Sequence, residues 1–110
     1  MNVPVAYFSM EIAIDPLLPT YSGGLGVLAG DTIRAAADLS IPMVAVTLLH
    51  RKGYVKQSIG AQGEQLESPE EWVPERHLEP CGPIVDVPIG DRLVRVRAWR
   101  RVEVGVSGHE

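Results

Sequence analysis

The sequence has 110 residues, of which 45% are hydrophobic and 22% charged, with a formal net charge of -4. Such a composition is typical of a globular chain with at most one domain. Its longest apolar run, residues 41–49, is far shorter than the roughly 20 residues of a bilayer span, so no membrane association is expected. The first residues lack a basic signal-like segment, and Cys81 has no second cysteine to pair with. A cytoplasmic protein is therefore predicted.

Charge is distributed unevenly between the two halves of the chain. Residues 1–50 contain one base and four acids, whereas residues 51–110 contain nine bases and ten acids. The apolar first half is typical of a sheet and a helix buried on several sides, which so short a chain can hardly cover by itself. We therefore expect the N-terminal piece of a larger protein.

The first half predicts a strand, a helix and a second strand. Residues 3–9 are β-branched and aromatic, which favours a strand. Residues 40–42 contain a proline and should end the helix, and residues 43–49 have the continuous apolar character of a parallel strand. The fold class predicted is α/β, with a Rossmann-like βαβ unit over residues 3–49. The intervening helix, residues 25–39, is amphipathic and places five apolar residues on one side: Leu25, Leu28, Ala29, Ala36 and Leu39.

The connection between the first strand and the helix is unusually long. Residues 10–22 mix Asp15, Pro16 and Pro19 with apolar side chains, and a connection of this length in a compact domain is usually functional. The carboxyl ends of the two strands should border a binding crevice, and this connection begins there.

The second half, residues 50–110, predicts loops and an antiparallel hairpin. A short strand is expected at residues 54–57, followed by a solvent-facing connection. Residues 84–89 and 93–104 are predicted to pair as antiparallel strands through a two-residue turn that contains Gly90.

A serine and glycine run at the entry to the helix is the sharpest chemical feature: Ser22, Gly23, Gly24, Leu25 and Gly26. Glycines let backbone amides approach a ligand, and the positive end of a helix dipole favours a phosphate. The alternative is that Ser22 caps the helix and the glycines only form a tight turn. The sequence alone leaves these two interpretations about even.

A dinucleotide site is a further interpretation of the same run. Gly24, Gly26 and Ala29 satisfy the pattern GxGxxG/A, but residues 10–22 separate them from the first strand, which that fingerprint should follow at once. The second strand also ends without an acid to hold a ribose. Arg51 could meet a ribose phosphate, so NADP binding is weakened rather than excluded.

His50 stands at the carboxyl edge of the second predicted strand and is a candidate for contact with substrate. With Arg51 and Lys52 it could face an anionic or sugar substrate, although a solvated loop is the commoner fate of such a cluster. The histidines have no metal-ligand spacing, so no metal site is predicted.

A basic stretch near the C-terminus raises the question of nucleic-acid binding. Its net effect is offset by the overall charge of -4, and its alternation with apolar residues is typical of an ordinary exposed strand. No nucleic-acid partner is predicted. The stretch contains Trp99 and five arginines: Arg92, Arg95, Arg97, Arg100 and Arg101.

Three motifs carry a resemblance to a known family. The runs YFSMEIAID, YSGGLGVLAGD and GYVKQ, in this order and spacing, closely resemble the N-terminal region of α-glucan (glycogen, starch or maltodextrin) phosphorylases, particularly the shorter bacterial and archaeal type. The resemblance covers nearly the whole chain, and the three motifs together are far more specific than a single glycine pattern.

The resemblance implies a fold and an activity. It implies that residues 1–110 are part of the first Rossmann-like domain of a GT-B enzyme, which uses inorganic phosphate to cleave the terminal α-1,4 bond of a glucan and releases α-glucose 1-phosphate. It also implies pyridoxal 5'-phosphate bound to a lysine outside this chain. Gly23, Gly24, Leu25 and Gly26 would be the loop beside the glucosyl and phosphate positions.

The same resemblance limits what this chain can do alone. No catalytic residue is assigned within it, and the isolated chain is expected to be inactive. Its expected partners are α-1,4-glucan, inorganic phosphate and the remainder of the same enzyme, with a homodimer as the oligomer to test.

Two alternatives stay open at this point. Glycogen and starch synthases also begin with a GGLG loop, but they usually have a lysine two residues before the first glycine and an aspartate after the last, where this chain has Tyr21 and Val27. A truncated, non-catalytic glucan-binding module is the other alternative. Trp72 and Trp99 are equally consistent with packing residues.

Overall fold

A computed structural model describes residues 3–69 and 71–110. Its contacts divide the chain into two units: one comprises the chain up to Trp72 together with Glu103–Glu110, and the other is Val73–Val102. The elements are β1 (Val5–Phe8), α1 (Gly24–Asp38), β2 (Met43–Val46), β3 (Val55–Ile59), β4 (Gln65–Pro69), a 3₁₀ turn (Pro74–Arg76), β5 (Glu79–Ile89) and β6 (Arg92–Arg100). No helix in the described ranges is long and apolar enough to cross a membrane.

The parallel pair predicted for the first half is present. Strands β1 and β2 run parallel in the register Val5↔Met43 to Phe8↔Val46, with helix α1 between them in the chain. The hydrogen bond from the amide of Ser9 to the carbonyl of Val46 (3.1 Å) continues the ladder by one step. Both strands are shorter than predicted, with four residues each.

The two ends of helix α1 differ in their hydrogen bonds and backbone conformation. Its N-cap is Gly23, without any side-chain cap, so the alternative interpretation in which Ser22 caps the helix is wrong. At the other end Ser40 adopts a left-handed φ of 57°, and the amide of Ile41 donates to the carbonyl of Ala36 (2.8 Å). This closing turn confirms that the helix stops before Pro42.

The buried side of helix α1 is made of small residues: Gly26, Ala29, Gly30, Ala36 and Ala37. The leucines predicted on the apolar side are instead exposed, with Leu25 at 52%, Leu28 at 61% and Leu39 at 72%. On the buried side, Gly30 approaches the backbone of Ala13 so closely that a Cβ would overlap the carbonyl. Only small residues permit that approach.

The second half contains one more strand than predicted. Strands β3 and β4 form an antiparallel hairpin with the register Val55↔Pro69 to Ile59↔Gln65, so the solvent-facing connection predicted after residue 57 is partly wrong. The amide of Gly60 donates to the carbonyl of Glu64 (2.8 Å) and closes the turn. All residues of both strands are exposed.

The predicted C-terminal hairpin is confirmed, with different limits. Strand β5 begins at Glu79 rather than residue 84, and β6 ends at Arg100 rather than residue 104. Gly90 has the positive φ (62°) that a two-residue turn requires. Cross-strand partners include Arg100 and Glu79, whose charged groups are 3.0 Å apart.

The core of the first unit lies between helix α1 and the long connection after β1. Within the described residues of this unit, the buried hydrophobic side chains are six: Ile12, Ile14, Leu18, Ala29, Ala36 and Ala37. Half of them come from the connection itself. The segment therefore supplies much of the packing that holds the helix in place.

Candidate functional site

The connection after β1 folds back along the start of helix α1. The amide of Ile12 donates to the carbonyl of Thr20 (3.1 Å), and the hydroxyl of Thr20 donates to the carbonyl of Ile12 (2.5 Å). The amide of Ala13 donates to the carbonyl of Gly26 (2.9 Å). These bonds satisfy buried backbone groups and fix the base on which the glycine run stands.

The start of helix α1 leaves several amides free. The amides of Gly26 and Val27 both donate to the carbonyl of Gly23, at 3.1 and 3.3 Å. The amides of Gly23, Gly24 and Leu25 make no hydrogen bond within the described part of the chain, and all three residues are exposed. Free amides at the positive end of a helix dipole are suited to an anion.

The glycines of this run have two different reasons to be glycine. A Cβ at Gly26 would come within 2.5 Å of the Cβ of Tyr21, so packing excludes a side chain there. A Cβ at Gly23 or Gly24 would meet no atom within 4 Å, and neither residue has a positive φ. Packing and backbone conformation therefore do not explain these two glycines, whereas close approach of a ligand would.

Ser22 is held by a carboxylate from the connection. Its amide donates to Oε2 of Glu11 (3.1 Å), and its hydroxyl donates to Oε1 of the same side chain (3.0 Å). Both carboxylate oxygens are thus used by one residue. The Ser22 hydroxyl is thus engaged by Glu11, while Gly23 occupies the N-cap position.

A cleft of about 590 Å³ lies in the first unit beside Ser22. Its walls come from the connection after β1, the residue before the glycines, the end of β2 and strand β3. Glycine and apolar residues complete the lining. The side chains that can hydrogen bond there are Glu11, Tyr21, Ser22, His50, Tyr54 and Gln57.

The cleft brings together two of the residues predicted from the sequence. Ser22 and His50 both line it, although Gly23, Gly24, Leu25 and Gly26 do not. The ring of His50 lies edge-on to that of Tyr54, with centroids 6.1 Å apart. The carbonyl of His50 accepts a hydrogen bond from the indole of Trp72 (2.8 Å), which holds this end of the cleft wall.

Tyr54 is a cleft residue whose phenol has a raised pKa. The pKa of its phenol is raised above the ordinary value of 10.0, first by burial, then by the negative charge of Glu11 and by a hydrogen bond to that side chain. Glu11 therefore interacts with Tyr54 as well as with Ser22.

Other candidates from the sequence do not line this cleft. The arginine-rich strand β6 belongs to the unit Val73–Val102, where Arg95 and Arg100 each face an acid of β5 at 3.7 and 3.0 Å. Among the described residues, no group of three histidine, cysteine or acidic side chains could hold a metal ion.

Glu11, Tyr54 and Gln57 are cleft residues that no sequence pattern singled out. Each stands inside a quoted motif, Glu11 in YFSMEIAID and the other two in GYVKQ. The signal was present in the motifs, but the contact from Glu11 to Ser22 joins residues eleven positions apart, which no helix or strand period relates.

Several known proteins that are similar in sequence to this chain are phosphorylases. The chain is 46% identical to a maltodextrin phosphorylase of Thermococcus litoralis over 93% of its own length and 13% of that protein. It is 43% identical to a glycogen phosphorylase of Mycobacterium tuberculosis over 86% of its length and 12% of that protein. A glycogen phosphorylase of Aquifex aeolicus is 40% identical over 56% of the chain and 9% of the relative.

These relatives are much longer than this chain, which spans only about an eighth of the length of the first two. No family model matches the chain, and no solved structure matches it. The relationship to the phosphorylases therefore rests on sequence identity along one segment of each relative.

Proposed function

We propose, since the chain belongs as a segment to the glycogen and maltodextrin phosphorylase family, that it is the N-terminal part of an α-glucan phosphorylase. The whole enzyme transfers the terminal α-1,4-linked glucosyl unit of a glucan to inorganic phosphate and releases α-glucose 1-phosphate. This segment contributes the Ser22–Gly26 loop and the cleft beside it.

The observation that carries the proposal is the state of the loop. Gly23, Gly24 and Leu25 present free amides at the start of a fifteen-residue helix, and packing does not explain the first two glycines. A phosphate oxygen that accepts hydrogen bonds from these amides is stabilised without any side chain. Gly26 serves the fold, since Tyr21 leaves no room for a side chain at that position.

The cleft is proposed to take the sugar. Tyr21 and Tyr54 offer aromatic surfaces, while Gln57 and His50 offer hydrogen-bonding groups of the kind that sugar hydroxyls match. Their position beside Ser22 would place a glucosyl unit next to the loop that receives phosphate. His50 is proposed as a substrate-side residue and not as an acid or base.

The proposed enzyme needs pyridoxal 5'-phosphate, which this segment does not attach. Lys52 and Lys56 are both exposed and neither lines the cleft, so they do not fit the role of a lysine that holds the cofactor. The attaching lysine is therefore assigned to the remainder of the enzyme.

The finer features of the family are proposed on the same basis. The β1–α1–β2 unit with its parallel pair supports a Rossmann-like beginning of a GT-B fold. The relatives from Thermococcus, Mycobacterium and Aquifex are phosphorylases, which favours phosphorolysis over transfer from a nucleotide sugar or NADP chemistry. The enzyme is also proposed to be cytoplasmic and to assemble as a homodimer.

An assay of two proteins tests it. The full-length protein that carries this chain should release glucose 1-phosphate from a maltooligosaccharide and inorganic phosphate, and residues 1–110 alone should release none. A full-length protein that is folded and holds its cofactor but releases no glucose 1-phosphate would contradict the proposal, as would release by the isolated segment.

A further inference from the structure

The contact between Glu11 and Ser22 joins the connection after β1 to the residue before the glycines. One carboxylate accepts from both the amide (3.1 Å) and the hydroxyl (3.0 Å) of Ser22. Hydrogen bonds to an ionised acceptor are stronger than neutral ones, and two of them fix orientation as well as distance. Ser22 is thereby held in one arrangement.

The carboxylate itself rests on a fixed base. The hydroxyl of Ser9 donates to the carbonyl of Glu11 (2.7 Å), and the next two residues are bonded to Thr20 and Gly26 through their backbones. Tyr54 lines the same cleft as Glu11 from strand β3's side.

This contact changes what the serine hydroxyl can do. A serine can turn its side-chain oxygen onto the backbone amide two residues further on, and Ser22, which precedes the N-cap Gly23, would reach the amide of Gly24 in this way. Here the hydroxyl donates to Glu11, and the amides of Gly24 and Leu25 make no bond within the described residues. The helix therefore has no side-chain cap, and the amides of Gly24 and Leu25 stay available as donors.

We propose that Glu11 is a positioning residue of the phosphate loop: by holding the amide and hydroxyl of Ser22, it keeps this hydroxyl off the amides at the start of helix α1, so that those of Gly24 and Leu25 stay available to inorganic phosphate beside that of Gly23. The inference rests on the proposed function of the loop. Glu11 acts through Ser22 and does not touch the phosphate.

The proposal and simple electrostatics predict opposite signs. A carboxylate near an anion site repels the anion, so its removal by Glu11→Gln would strengthen phosphate binding if charge alone mattered. Under the proposal, Glu11→Gln releases the Ser22 hydroxyl to the free amides and weakens binding. The additional change Ser22→Ala removes the competing oxygen, so the double variant should regain part of the lost affinity.

The experiment measures two properties of the full-length protein that carries this chain. Inorganic phosphate is titrated by calorimetry, and hydrogen exchange of the peptide around Ser22 is followed by mass spectrometry. Glu67→Gln, which removes one exposed carboxylate on β4, is the matched control. Glu11→Gln should weaken phosphate binding about tenfold, the size expected for a lost charge-assisted hydrogen bond, and should speed exchange in the loop peptide. The control should do neither.

Two results of the phosphate titrations overturn the proposal. The first is phosphate binding by Glu11→Gln that is as tight as wild type or tighter. The second is equal weakening in Glu11→Gln and in the double variant, which would show that Ser22 does not compete for the amides. If the wild-type protein binds no phosphate at all, the proposed function of the loop fails, whereas unchanged exchange at Ser22 in Glu11→Gln refutes the hold by Glu11 separately.

Discussion

A methyl group added at Gly24 separates the demands of ligand binding from those of folding. Gly24 is the first residue of helix α1, and a Cβ there meets no atom within 4 Å beyond its own turn. Alanine is a better helix former than glycine by up to about 1 kcal/mol in a helix interior. Gly24→Ala should therefore leave the free energy of unfolding unchanged or raise it by less than about 1 kcal/mol.

Phosphate binding should respond in the opposite direction. The methyl group would stand where a phosphate approaches the amides of Gly23, Gly24 and Leu25. Losing one charge-assisted hydrogen bond costs about 1.5–3 kcal/mol, which corresponds to a rise of roughly 10- to 100-fold in the dissociation constant for phosphate. The substitution should thus impair binding in a protein of undiminished stability.

Gly30→Ala is the matched control on the same helix. Its Cβ would overlap the carbonyl of Ala13, so the backbone must shift at a cost of about 1–3 kcal/mol or more. Urea denaturation and phosphate titration of the full-length protein with each substitution give the comparison. The reasoning is refuted if Gly24→Ala destabilises the fold as much as Gly30→Ala, or if it leaves phosphate binding unchanged.

Two further substitutions test contacts around the site. Because the pKa of Tyr54 is raised above 10.0, its neutral phenol stabilises the fold below that pH, and this contribution is lost as the pH rises through the folded pKa. Glu11→Gln should lower the pKa of Tyr54, as seen in the ultraviolet titration of phenolate against a Tyr54→Phe reference; an unchanged pKa contradicts the contact. Arg34 donates to the carbonyl of Ile14, so Arg34→Met should lower the free energy of unfolding by about 1 kcal/mol in urea denaturation, with Arg34→Lys recovering part of the loss. Equal stability of wild type and Arg34→Met would show that this bond does not stabilise the fold.

The predictable part of the fold is the part with a local period. The helix and the parallel strands were evident from apolar spacing, and Gly90 marked the hairpin turn. Strand β4 was not evident, because Gln65–Pro69 reads QLESP and its pairing with β3 rests on backbone hydrogen bonds rather than on an apolar face. A period also identifies an apolar side without showing what covers it, which is why the exposure of Leu28 could not be foreseen.

The residues of the candidate site also differ in whether a local sequence pattern indicates them. The glycine run is contiguous, so its chemistry is legible in the sequence. The partner of Ser22 is not, because the path from Glu11 back to the helix depends on how the intervening prolines and buried side chains turn the chain. Likewise, Tyr54 reaches Glu11 through the fold and not through any spacing.

The end of helix α1 bears on how the chain folds. The amide of Val106 donates to Asp38 (2.8 Å) and the hydroxyl of Ser107 donates to the carbonyl of Ala37 (3.1 Å), across 68 and 70 positions of sequence. The two hairpins between these partners close over short loops, whereas these contacts close a long one, which costs more chain entropy. Because closure entropy grows only with the logarithm of loop length, Val73–Val102, which less than doubles that loop, adds under about 0.6 kcal/mol to its cost. The hairpin of β5 and β6 therefore adds little to the entropic cost of joining the C-terminal segment to the end of helix α1.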